Sequence, residues 1–422
     1  MTGELRGAAA RVLAANWAGA WTVPSRTLYP HQWSWDSAFI ALGLRHVAPG
    51  RARQELNSLL AAQWADGRLP HIVFDPAVPA DAYFPGPGFW GARTSGLVQP
   101  PVHALAAWEV FRADPAGARH DGFLPAAYPR LAAWHRYLRD RRDLGGDGLV
   151  ALIHPWESGT DNSPAWDAPL AAVDPVPIGA LQRRDLDPAA GHATAAERPT
   201  DLDYGRYVRL AAAYRDRGYA DTLDTSGFAV EDPMTNALLV LAEHAMTAIA
   251  AEIGADPAPH RTAAAELTGA LVGRLYDADA GTFLARDLLA GRVLDAYTVA
   301  GLVPLAVPDL PVAGPLVKTA LGERFQLGTA HLVPSYDLTA PDFDPARYWR
   351  GPAWYNTSWL VWRGLRAHGE AGHAADLRAR MLACAARAGF REYVDPHTGA
   401  GHGSADFSWT AALVLDLLAT RA

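Results

Sequence analysis

A single cysteine, Cys384, stands in the whole chain. One thiol forms no internal disulfide and no thiolate metal cluster, and its helical-looking surroundings, ARMLACAARAGF, mark it as a buried small hydrophobe. Positive charge is also short. Lys and Arg number 37 against 45 Asp and Glu, a net charge of −8, which argues against nucleic acid as a partner. No stretch approaches the apolar length needed to span a bilayer, and the N-terminal MTGELRGAAARVLAANWAGAW lacks a basic region followed by an apolar core. That end therefore reads as a helix of the mature fold, no membrane partner is expected, and the expected location is cytoplasmic. Chemical signatures are missing as well: no HExxH, no paired CxxC, no P-loop lysine and no GxSxG elbow occurs. The run Gly86-Pro-Gly88-Phe-Trp-Gly91 fits GxGxxG formally, but Pro and two aromatics make a poor phosphate cradle. The 15 His are scattered along the chain. Neither a metal nor an organic cofactor is expected.

Tryptophan, by contrast, is abundant, with 15 in 422 residues. Some of it fills core, yet an excess of indole in an acidic, cysteine-poor chain also suits sugars. The apolar face of a sugar ring stacks on indole while its hydroxyls meet the ring N–H and nearby polar groups. Half of the residues are hydrophobic and 19% charged, which is a globular composition long enough for a large core.

Helical patterning dominates. Residues 51–65 place Leu56, Leu59, Leu60, Gln63 and Trp64 at spacings of three and four, an amphipathic helix. Ala- and Leu-rich runs extend the pattern over about 103–111, 125–141, 204–216, 233–253, 257–275, 353–367, 370–388 and 405–420. Asp232-Pro233 reads as an N-cap followed by a first helical proline. HIVF (71–74) and GLVALI (148–153) are minor extended pieces. Helix pairs recur without a residue-level repeat or a linker. The expectation is one all-α domain over residues 1–422, an (α/α)6 barrel with long functional loops on one face. The connections 21–37, 66–101, 153–187 and 336–356 hold nearly every polar cluster. The polar stretch 181–203 is expected to form an exposed flap over the site.

Four segments concentrate chemistry: TLYPHQWSWDSAFIALGL (27–44), IHPWESGTDNSPAWD (153–167), ARYWRGPAWYNTSWLVWRGL (346–365) and FREYVDPHTGAGHGSADFSWTAAL (390–413). Asp161 lies in a loop crowded with Trp, Gly and Pro. There it reads either as a turn-forming residue or as a carboxylic acid whose pKa is raised, keeping a proton for a leaving oxygen. Glu392, near the end of a helical run, reads either as an exposed helix-end carboxylate or as the partner that activates water. Tyr29, Trp33, Trp35 and Asp36 read as core plus a cap or as a sugar platform. Tyr348, Trp349, Arg350, Trp354 and Tyr355 again mix aromatics with a charge.

In combination and order, WESGTDNSP, YWRGPAWYN and FREYVDPHTG…FSWTAA resemble glycoside hydrolase family 63, especially its compact bacterial members acting on mannosylglycerate and glucosylglycerate. The resemblance runs from about Tyr29 to Trp409. It implies an inverting glycosidase with Asp161 as general acid and Glu392 as general base, their carboxyls roughly 6.5–9.5 Å apart so that water fits behind the anomeric carbon. It also implies that Tyr29, Trp33, Trp35, Asp36, Tyr348, Trp349 and Trp354 bind the sugar, with Tyr83 and Gln99 near the glycerate. A glycerate carboxylate calls for a cation, expected to be Arg206, with Arg198 and Arg350 behind it. The expected partner is a small-molecule glycoside, and a homo-oligomer stays open. Two other functions stay open at this point: an α-glucosidase for a neutral disaccharide of the trehalose or kojibiose kind, and a non-catalytic carbohydrate-binding protein.

Overall fold

The computed structural model describes residues 2–179, 183 and 195–420. Its long helices are α1 (Thr2–Ala15), α2 (Ser34–Leu44), α3 (Pro49–Ala61), α4 (His103–Ala113), α5 (Phe123–Arg141) and α6 (Asp201–Asp216). They continue with α7 (Pro233–Ile253), α8 (Ala258–Leu275), α9 (Ala313–Leu321), α10 (Tyr355–Ala367), α11 (Ala371–Ala388) and α12 (Ser408–Ala419). Helices α2, α4, α7, α10 and α12, with the paired 3-10 turns Val299–Gly301 and Val303–Ala306, pack side by side into a closed ring. Helices α1, α3, α5, α8, α9 and α11 back that ring from outside. This is the expected (α/α)6 barrel.

Local sequence explains which helix goes where. Helix α2, SWDSAFIALGL, is buried at every position, as a helix apolar all round must be. Helix α3 buries Leu56, Leu59 and Leu60 and turns its other face outward, so it takes an outer place. Helix α7 begins as its sequence predicts: the Asp232 carboxylate accepts the Thr235 N–H at 2.8 Å, and Pro233 opens the first turn. One expectation is corrected here. Helix α7, 21 residues long, is apolar enough to cross a membrane, but 78% of its most apolar window is buried inside the ring. Its apolarity belongs to a central stave surrounded by neighbours.

Short strands hang at the N-terminal ends of the inner helices. Strands β1 (Gln32–Trp33) and β2 (Ile72–Val73) pair antiparallel, with Trp33 opposite Ile72, and α2 starts one residue after β1. Strands β3 (Ala151–Leu152), β4 (Val230–Glu231), β5 (Arg286–Asp287) and β6 (Arg292–Val293) form an antiparallel sheet in that order. Strand β7 (Ala353–Trp354) pairs β8 (Tyr393–Val394), which pairs β9 (Gly401–His402). Beneath these strands lies a second apolar cluster, including Trp33, Phe74, Trp156, Trp166 and the α6 residues Tyr207 and Leu210. The loops are thereby fixed to one rim of the ring. Of the flap expected over 181–203, residues 181–182 and 184–194 lie outside the described residues. Arg183 and residues 195–203 are described.

Candidate active site

The rim encloses a pocket of about 940 Å³, open solvent at its mouth included. Tyr29, Trp33, Trp35, Asp36, Tyr83, Gln99, Asp161, Tyr348, Trp349, Trp354 and Glu392 all line it. Segments from opposite ends of the sequence thus meet on one surface.

The first turn of α2 forms part of the floor. Gln99 Oε1 accepts the Trp35 backbone N–H at 3.1 Å and satisfies one of the helix's otherwise open donors. Asp36 sits in this turn, where the helix dipole favours an anion. Burial wins nonetheless and pushes its carboxyl well above the usual range, helped by the fields of Glu392, Asp161 and Glu55.

Glu392, on the link between α11 and β8, is almost fully buried. The Tyr29 hydroxyl donates to its Oε1 at 2.9 Å, and the Ser404 N–H donates to its Oε2 at 2.9 Å. Gly403, at φ +64°, makes the second contact available, because a Cβ there would stand 2.5 Å from Oε2.

Asp161 follows the 3-10 turn Pro155–Ser158. Gly159, at φ +72°, lets this loop lie on the Trp35 ring, which a Cβ would meet at 2.5 Å. The loop is held from several sides. Tyr207 Oη donates to the Asp161 carbonyl at 2.9 Å, Trp166 Nε1 to the Thr160 carbonyl at 2.8 Å, and the Trp349 N–H to Asn162 Oδ1 at 3.1 Å. Behind it, Glu157 is fully buried in a two-pronged pair with Arg142, both contacts 2.7 Å. Glu157 also accepts the Ile153 N–H at 2.9 Å and the Val98 N–H at 3.3 Å, tying the Asp161 loop to the segment that carries Gln99.

Aromatic rings make the walls. Trp349 and Trp354 stack face to face at 4.0 Å and 2°. Trp409 meets Trp354 edge-on at 5.7 Å and Trp35 at 5.3 Å. Trp33 stands edge-on between Tyr29 (5.3 Å) and Tyr83 (5.4 Å). Tyr348 adopts φ +39°, a costly conformation for an aromatic residue, and its carbonyl accepts the Trp354 indole N–H at 3.0 Å. The buried indole N–H groups of Trp33, Trp349 and Trp409 have no protein acceptor among the described residues. A wall of ring faces with spare donors suits a molecule that is apolar on its faces and hydroxylated at its edges.

The cation at the pocket is Arg198. Its Nη2 donates to Tyr29 Oη at 3.0 Å, its Nη1 lies 3.7 Å from Glu392 Oε1, and its guanidinium covers the Tyr348 ring at 4.3 Å. The other two candidates are corrected. Arg206 is turned out of the pocket on α6 and donates to the Val173 carbonyl at 3.2 Å. Arg350 forks onto Asp167 at 2.8 and 2.7 Å and also reaches Asp342 at 2.9 Å, locking the loops together from outside. His71 and Tyr204 also line the pocket without having been singled out in the sequence, as does Trp156 of the segment that carries Asp161. His71 sits in HIVF, which shows only as a strand, and burial holds its imidazole neutral, well below its usual pKa. Among the described residues, no three His, Cys, Asp or Glu side chains gather to hold a metal ion.

Of the three carboxyls that line the pocket among the described residues, Asp161 and Glu392 differ in surroundings. Burial pushes Asp161 up to about 7; Arg198 opposes this and Glu392 adds to it. Burial also raises Glu392, but Arg198, the Ser404 N–H and the Tyr29 hydroxyl all favour its ionised form. Both carboxyls are thus raised by burial, with the larger set of partners for the ionised form at Glu392, an arrangement that suits an acid working beside a base.

The profile of the mannosylglycerate hydrolase MGH1-like glycoside hydrolase domain matches residues 29–410. A mannosylglycerate hydrolase of Rubrobacter radiotolerans is 41% identical, over 98% of this chain and 97% of its own. A glucosylglycerate hydrolase of Mycolicibacterium hassiacum is 37% identical, over 98% of each chain. The crystal structure of the family 63 mannosylglycerate hydrolase of Thermus thermophilus with Tris and D-glycerate superposes with a TM-score of 0.91. It is 43% identical and covers 98% of this chain and 99% of that one.

Proposed function

The chain belongs to the mannosylglycerate hydrolase MGH1-like glycoside hydrolases, and on that premise we propose that it cleaves mannosylglycerate or glucosylglycerate to sugar and glycerate with inversion. The observation that carries the reading is the pocket itself: indole walls for a sugar and, among the described lining residues, one arginine, Arg198, near the unlike carboxyls of Asp161 and Glu392. The aglycone's carboxylate pairs with Arg198, with Gln99, Tyr83 and Tyr204 around it. The sugar lies against Trp33, Trp35 and the Trp349–Trp354 stack. Asp161 gives its proton to the glycosidic oxygen as the bond from C1 to that oxygen breaks. Water attacks C1 from the opposite face, and its proton passes to Glu392. The sugar leaves with inverted configuration, glycerate leaves protonated at the former glycosidic oxygen, and solvent returns each carboxyl to its starting state.

Proton NMR on the first anomer released, from mannosylglycerate, glucosylglycerate and neutral α-glucosides in turn, tests this. Early β-anomer from an α-linked glycerate substrate is the expected result. Retained configuration rules out the roles given to Asp161 and Glu392. Activity on neutral glucosides alone keeps those roles and discards the glycerate aglycone.

A further inference from the structure

Arg198, Tyr29 and Glu392 form a chain with fixed hydrogen-bond directions. A guanidinium has no acceptor, so Arg198 must donate to the Tyr29 hydroxyl, 3.0 Å away. An ionised carboxylate has no donor, so Tyr29 must donate onward to Glu392 Oε1, 2.9 Å away. The same guanidinium is the first influence opposing burial at both Asp161 and Glu392. The group placed to receive the substrate's charge therefore also governs the two groups that do the chemistry.

We propose that Arg198 lets a charged aglycone set the working proton state of the site, with Tyr29 as the positioning residue that links it to Glu392. Anionic substrates are then selected in turnover as well as in binding. The inference rests on the reading that the aglycone carboxylate docks on Arg198.

The sign follows from the groups present. Asp161 is faced by Arg198, Glu392, Asp36, Tyr207 and Tyr348. Glu392 is faced by Arg198, Tyr29, Glu197, Asp36, Tyr348 and Tyr393, with His402 standing 3.8 Å from Glu197. Among these described residues Arg198 is the permanent cation. A carboxylate paired with it cancels its field and leaves surroundings that are neutral or negative. Both carboxyls then bind their protons more firmly. Asp161 stays loaded to higher pH, while Tyr29 and the Ser404 N–H still hold Glu392 in its ionised form. A neutral aglycone leaves Arg198's field intact, and Asp161 gives up its proton earlier.

The test is kcat and KM across pH for the glycosyl-glycerate and for the same sugar on glycerol, which carries a neutral hydroxymethyl group in place of the carboxylate. The alkaline limb of kcat is expected about one pH unit higher for the glycerate substrate, the size of shift that one neighbouring charge produces. In Y29F the acidic limb moves up and kcat falls roughly tenfold to a hundredfold, because Glu392 loses its donor and its fixed position. Coincident limbs for the two substrates, with KM alone differing, overturn the inference and leave the glycerate reading standing. Equal kcat and equal KM sink the glycerate reading itself. Should the glycerol glycoside turn over too slowly to profile, carbon-13 titration of carboxyl-labelled enzyme decides, with D161N identifying the signal. An upward shift of Asp161 with added glycerate supports the proposal, and no shift overturns it.

Discussion

Asp161 differs from most aspartates in what its neighbours do to one proton. With its carboxyl held up at about 7, turnover should decline as pH climbs past that value and the acid empties. The same shift has a cost in stability. A carboxyl raised above its unfolded value contributes fully only below that unfolded value, and the contribution is lost as pH rises to about 7. D161N should therefore lose roughly 10²–10⁴ in kcat yet unfold at higher denaturant than the parent at pH 8, by at most about 4 kcal/mol. A variant less stable than the parent at that pH contradicts the burial argument. That Asp161 and Glu392 meet at one pocket is legible because their motifs are compact and each sits among aromatics. Arg198 is harder to single out, because which arginine reaches a pocket depends on how a connecting strand is pinned. Thr200 accepts the Asp203 N–H and starts α6, which fixes residue 198 facing Tyr29. Arg206 looks as good on charge, but two residues along a helix from Tyr204 is more than half a turn, so it faces away while Tyr204 lines the pocket and Tyr207 reaches the Asp161 carbonyl.

Residues 153–161 have little secondary structure of their own, and Glu157 with Arg142 supplies much of what holds them. Removing one partner of a fully buried pair strands the other's charge. E157A should cost about 3–5 kcal/mol in a urea titration and should depress kcat more than KM, since the loop also carries Asp161. Unchanged stability would mean that Arg142 finds enough elsewhere, Asp221 at 2.9 Å being the nearest alternative. Helices are the readable elements: 233–253 matches to the residue, and most others shift by a few residues at their ends. The fourth inner stave is not readable. Residues 299–306, with Pro304 among them, give two 3-10 turns without a 3.6-residue period, and only the closing of the ring identifies them as a stave.

The ring is also held across its layers by buried charge. Glu243 on the inner α7 contacts His135 of α5 at 3.2 Å and His260 of α8 at 2.6 Å, and Tyr128 lies 3.2 Å from the far side of His260. These histidines hold the Glu243 carboxyl down at about 2 against the effect of burial. A depressed carboxylate adds stability above its unfolded value and loses it as pH falls toward about 2. E243Q should lower stability at pH 7 by about 3 kcal/mol, with the gap from the parent closing on acidification. A gap that widens in acid would rule this account out. Nothing in the sequence pairs these residues, because three helices bring them together.

Helix α6 stands outside the ring and touches both ends of the chemistry. Tyr207 holds the backbone of Asp161, and the capped turn at Thr200 presents Arg198 to Tyr29 and Glu392. On the proposed roles, one helix and its capped turn thus serve both the proton donor and the group that pairs with the aglycone. If those roles hold, slackening of that helix is expected to blunt discrimination and reactivity together. A lineage drifting toward uncharged glycosides would meet both proposed roles in this one part.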